Sequence, residues 1–115
     1  MSYVAFMVES TVNDRAALDA VKADLVAAAE SNEPRTTHYE WSLSADGSRL
    51  FNYDRFEDSE ATMVHLAAFG PFAERYMAAV TPIRFVVLGS PSDEVMSALA
   101  AFNPERVAPI GGFAR

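Results

Sequence analysis

The chain has 115 residues, enough for one domain built on one core and too few for two. Its formal net charge is −7, and its 9 Lys and Arg are scattered, so it offers no basic footprint to nucleic acid or to an anionic membrane. The absence of cysteine excludes disulfides and thiolate chemistry and fits a reducing compartment. No segment reads as a signal peptide or as the roughly 20 apolar residues of a spanning helix, so a cytoplasmic protein is expected.

Residues 3–10 are apolar, β-branched or aromatic, and predict a first strand. Asn13 as cap, followed by Asp14 where the helix dipole favours an anion, predicts a helix with Leu18, Val21, Leu25, Ala28 and Ala29 on one stripe. Pro34 ends it by Asn32. Residues 36–44 and 49–56 read as a hairpin joined at Asp46-Gly47, a pair suited to a two-residue turn with positive φ at both positions. That turn sets Leu43 opposite Leu50, Trp41 opposite Asn52 and Tyr39 opposite Asp54. One face then collects Tyr39, Trp41, Leu43, Leu50, Asn52, Asp54 and Phe56, and the other collects His38, Glu40, Ser42, Phe51, Tyr53 and Arg55.

A second helix is expected from Asp58 or Ser59 to about Phe69, interrupted by Gly70-Pro71 and resumed to Ala79. Pro82 is read as opening a fourth strand over residues 83–89. Ser90-Pro91-Ser92-Asp93 predicts a third helix with Ser90 as cap and Pro91 in its first position, its stripe formed by Val95, Leu99 and Phe102. Asn103-Pro104 stops that helix ahead of a short tail.

This order predicts an α+β fold over residues 1–115: a ferredoxin-like β-α-β-β-α-β plait with an extra C-terminal helix, in a single domain. Two main helices cover one sheet face only, yet the first and fourth strands are apolar on both faces. Leaving such a face in water forfeits about 25 cal/mol per Å2. Either the third helix folds over it, or a second copy of the chain does. The favoured expectation is a homodimer with sheets packed face to face, the third helix and tail gripping the partner.

The strand end Tyr53-Asp54-Arg55-Phe56-Glu57-Asp58, the helix Ser59-Glu60-Ala61-Thr62-Met63-Val64-His65-Leu66 and the aromatic Phe72 after it carry a resemblance. The pattern resembles the antibiotic biosynthesis monooxygenase-like family of dimeric α+β barrels. The resemblance implies a homodimer with a substrate cleft between sheet and helices. It also implies oxidation of aromatic polyketides or quinols by O2 without metal or flavin, with His65 at the family's helix histidine. Other members of the family have no established chemistry. Its haem-degrading branch has an Asn in the first strand, a Trp where His65 stands and a His near Tyr76, so haem degradation is disfavoured here.

Each candidate has two readings. His65 is either a helix histidine satisfied by a carbonyl or by water, or a pocket base that deprotonates a phenol or quinol. Asn52 is out of place inside a strand; it caps an irregularity or anchors a substrate oxygen. Trp41, Tyr39, Phe56, Phe69 and Phe72 are core side chains or walls of a site for a small apolar or aromatic ligand. Asp54 is either a partner of His65 or a surface carboxylate, and the second reading is preferred. His38 and His65 sit on different elements without acids at ligand spacing, which gives no metal site. No phosphate loop or dinucleotide fingerprint occurs, so no cofactor is expected. The leading expectation is a cofactor-independent monooxygenase with His65 and Asn52 as catalytic residues. A ligand-binding or stress-related protein without catalysis is the alternative, and a purely structural dimer the third.

Overall fold

The computed structural model describes residues 2–115. The elements run β1 (Val4–Val12), α1 (Arg15–Asn32), β2 (Thr36–Leu43), β3 (Arg49–Phe56), α2 (Ser59–Phe69), a 3-10 turn (Gly70–Phe72), α3 (Ala73–Ala79), β4 (Val80–Gly89), α4 (Asp93–Ala98), a second 3-10 turn (Ala100–Phe102) and β5 (Glu105–Arg106). They form one sheet in the order β2-β3-β1-β4-β5, with β1 antiparallel to β3 and β4, and β5 parallel to β4. The first four strands make the expected plait; the two-residue β5 is an addition the sequence reading lacked. No helix among the described residues is long and apolar enough to cross a membrane.

Local chemistry moves three expected boundaries. Asp14, not Asn13, caps α1, its carboxylate accepting from Ala17 N–H at 3.0 Å. Asn13 is spent on the end of β4, donating to Thr81 Oγ1 at 2.9 Å. The hairpin pairs Leu43–Leu50, Trp41–Asn52 and Tyr39–Asp54 as expected, but its connection is longer than a two-residue turn. Ser44 N–H donates to the Arg49 carbonyl, Gly47 N–H returns to the Ser44 carbonyl, and Gly47 alone has positive φ. Asp46 organises that loop by accepting from Ser44 Oγ, Ser48 Oγ and Ser48 N–H, bonds that hold its pKa down at about 2.

The cap of α4 is Ser92 rather than Ser90, with Oγ accepting from Val95 N–H at 3.2 Å. Ser90 N–H is committed to the Tyr3 carbonyl and Ser92 N–H to Ser59 Oγ, so residues 90–92 stay outside the helix. Pro82 lies inside β4 instead of opening it. A bulge between Glu9 and Ser10 sets Pro82 opposite Ser10, and the far edge of β4 is unpaired there because β5 reaches only Val86 and Val87.

All four helices pack on one face of the sheet. Val95 and Leu99 of α4 join Val4, Phe6, Phe56, Ala61 and Val87 in one core cluster. Leu18, Val21 and Leu25 of α1 pack with Leu50, Tyr76, Ala79 and Val80 in a second. The expectation that the third helix covers the other face is therefore corrected: its Val95 and Leu99 enter the core on the helix side of the sheet, while Phe102 stays 40% exposed. The outer face stays bare, with Met7 50% and Phe51 40% exposed. Charges flank these side chains: Arg49 pairs with Glu9 at 3.0 Å, and Arg55 lies over the Tyr3 ring.

Candidate active site

In α2, Ala61, Thr62 and His65 are the buried stripe, so the imidazole is turned down onto the sheet. It sits between the Phe56 ring at 4.9 Å and the Tyr39 ring at 5.3 Å. Carboxylates approach it from two sides. Nδ1 lies 2.7 Å from Glu33 Oε1, and Nε2 lies 3.8 Å from Asp54 Oδ2. Glu33 is the residue that ends α1, and the same Oε1 also accepts from Thr36 Oγ1 at 2.9 Å. Asp54 reaches the site by strand alternation: in β3, Leu50, Asn52, Asp54 and Phe56 all point to the helix side.

Asn52 is fixed by Tyr76 of α3, whose hydroxyl donates to Oδ1 at 3.0 Å, a bond that engages the amide oxygen and not the amide nitrogen. Two polar atoms here are buried without a partner, Trp41 Nε1 and Asp54 Oδ1. A buried polar atom left unpaired costs roughly 1–3 kcal/mol, and such atoms cluster where a ligand or water completes the structure.

Burial dominates the electrostatics. It pushes the Asp54 carboxyl up to about 7; the nearby His65 opposes this and the Glu33 charge adds to it. Burial acts on Glu33 too, but the hydrogen bond and charge of His65 with the Thr36 hydroxyl outweigh it and hold Glu33 below its ordinary value. Burial raises the Tyr39 phenol, and raises the Tyr76 phenol to about 12, so both stay protonated.

These groups line a cavity of about 70 Å3 between sheet and helices. Its floor is Tyr39, Trp41, Asn52 and Asp54, with Phe6 and Val8 of β1. His65, Phe69 and Tyr76 form one wall, and Phe85, Leu99 and Phe102 the other. Met77 and Phe102 also line it while remaining half-exposed, which places them at the mouth. The structure thus brings together five residues singled out in the sequence: Tyr39, Trp41, Asn52, His65 and Phe69. Two others fall elsewhere. Phe56 is fully buried beneath the imidazole, and Phe72 packs against the α1 core cluster.

The reading of Asp54 as a surface carboxylate is overturned, since only 7% of the residue is exposed. Glu33, Tyr76 and Leu99 were not anticipated as site residues. Glu33 carried a signal: an acid at the negative end of a helix dipole, directly before Pro34, is unfavourable there unless something else needs it. His38, by contrast, is exposed on the outer face with Thr37 Oγ1 and the Tyr53 ring as neighbours. Glu33 and Asp54 approach opposite nitrogens of one ring, and no cluster among the described residues has the makings of a metal site.

No family model matches the sequence, and no curated protein does. The fold, however, has solved counterparts. MupZ from Pseudomonas fluorescens superposes with a TM-score of 0.80 at 22% identity, covering 100% of this chain and 96% of its own. SnoaB, a cofactor-independent oxygenase from Streptomyces nogalater, gives a TM-score of 0.67 at 21% identity over 80% of this chain and 96% of its own. The chain has the fold of the antibiotic biosynthesis monooxygenases. A Caulobacter crescentus protein assigned to that group matches with a TM-score of 0.68 at 16% identity, over 79% of this chain and 92% of its own. At these identities the monooxygenase fold is what is shared, and the chemistry is argued from the cavity.

Proposed function

We propose that this cavity is the active site of a cofactor-independent monooxygenase acting on a small aromatic, phenol- or quinol-type substrate. The observation that carries the reading is the meeting of His65 Nε2 and Asp54 in an otherwise apolar cavity that the Asn52 side chain also lines. Abstraction of a substrate proton by this pair leaves an electron-rich anion. An amide N–H at Asn52 and the unpartnered indole N–H of Trp41 are suited to the oxygen that carries the new charge. Dioxygen then oxidises the anion: one oxygen atom enters a ring carbon as a carbonyl, and the other leaves as water with two hydrogens from the substrate. The likeness to SnoaB supports this direction. The walls supply flat apolar contact, and a ligand larger than two or three waters enters by displacing Met77 and Phe102 at the mouth.

We further propose that the working form is a homodimer closed over the outer sheet face. Met7, Phe51, Tyr53, Val86 and Leu88 make an apolar centre there, ringed by the paired charges of Glu9, Arg49 and Arg84. A self-complementary patch of this make-up suits a two-fold interface.

Oxygen uptake with a panel of hydroquinones tests the activity. The expected result is uptake above uncatalysed autoxidation, reduced about 100-fold or more in H65A, the usual weight of a positioned acid–base group. A protein that binds the panel but consumes no oxygen above background is a binding protein, and the proposal fails.

A further inference from the structure

Glu33 is unfavourable on two counts that a structural filler would not accept. Its carboxylate is buried, 6% exposed as a residue, and it stands at the C-terminal end of the 18-residue α1, where the helix dipole repels an anion. Both costs are met by one short contact, Oε1 to His65 Nδ1 at 2.7 Å, with Thr36 Oγ1 donating to the same oxygen from the other side. We infer that Glu33 is a positioning residue for His65: it keeps a proton on Nδ1 and so presents Nε2 to Asp54 and the cavity.

The chemistry follows from which atoms accept and donate. An ionised carboxylate only accepts hydrogen bonds, so the ring nitrogen facing Glu33 must be the donor. In a neutral ring the other nitrogen, Nε2, is then the lone-pair site, and it is the one 3.8 Å from Asp54 Oδ2 at the cavity floor. Without Glu33, the lone pair is free to settle on Nδ1 and face away from the substrate. The ring plane is fixed as well, because Phe56 and Tyr39 pack against it while Glu33 holds one edge.

This assignment rests on reading the cavity as a proton-transfer site, yet its test needs no substrate. In an H38Q background His65 is the remaining histidine, and 15N-resolved NMR reports which ring nitrogen carries a proton. The wild-type ring should show a proton on Nδ1, far downfield because its acceptor is a carboxylate. E33Q should move that resonance upfield, and E33A should lose it, with the neutral ring passing to the Nε2–H form. Wild-type protein with its only ring proton on Nε2 overturns the inference whatever the variants do. So do E33Q and E33A spectra that match the wild type. Because nothing turns over in this measurement, its failure and a failure of the oxygenase reading are told apart.

Discussion

A carboxylic acid at the floor of an apolar cavity resists ionisation, and Asp54 adds to this an unpartnered oxygen and a second carboxylate beyond the imidazole. Its folded pKa, about 7, lies above the ordinary 3.8, so the folded state binds the proton more tightly than the unfolded chain does. The cost of ionising Asp54 is therefore absent below about pH 4, grows as pH rises towards 7, and is fully present above it. Glu33 has the opposite sign: its folded pKa is lowered, and its contribution disappears as pH falls below the ordinary 4.5. D54N should thus melt higher than the wild type at pH 8, by an amount worth a few kcal/mol, and the gap should close towards pH 4.5. Equal melting temperatures at pH 8 would contradict the burial argument. Strand alternation in the sequence already set Asn52, Asp54 and Phe56 on one face. What it could not show was depth: Asp54 lies between Tyr53 and Arg55 near a strand end followed by Glu57 and Asp58, and only the docking of α2 seals it.

Among the elements, register was the most legible feature, because Gly47 sits where the chain must adopt φ of +74° and the flanking alternation then pairs itself. Helix starts were less so. Several capping side chains stood within two residues of each other, and long-range partners decided among them: Asn13 went to Thr81, and Ser90 to Tyr3. Gly89 shows the same effect at the exit of β4. Its φ is +87°, and a Cβ there would lie 2.1 Å from the Tyr3 carbonyl oxygen. G89A should destabilise the fold by about 3 kcal/mol or more, combining backbone strain with a clash that separates β4 from the start of β1. Urea denaturation measures this, and a loss under about 1 kcal/mol would mean that the exit turn relaxes freely.

At the scale of the whole molecule, composition and strand pattern were enough to show an apolar sheet face in need of a cover. They could not show which side α4 would take, because Val95, Leu99 and Phe102 make an apolar stripe that fits either face. With α4 committed to the helix layer, the outer face is bare in the single chain, and the proposed dimer would cover it. The wild type should sediment as a dimer at micromolar concentration, and M7E, which sets a charge at the centre of that face, should sediment as a monomer with its own fold intact. The central claim is that the space between sheet and helices, and not the outer face, receives an aromatic ligand. Amide NMR during titration with 1,4-dihydroxynaphthalene under argon tests it most directly. Shifts should concentrate at Asn52, Asp54, His65 and Phe69. Shifts confined to Met7, Phe51 and Tyr53, or no shifts at all, would contradict it.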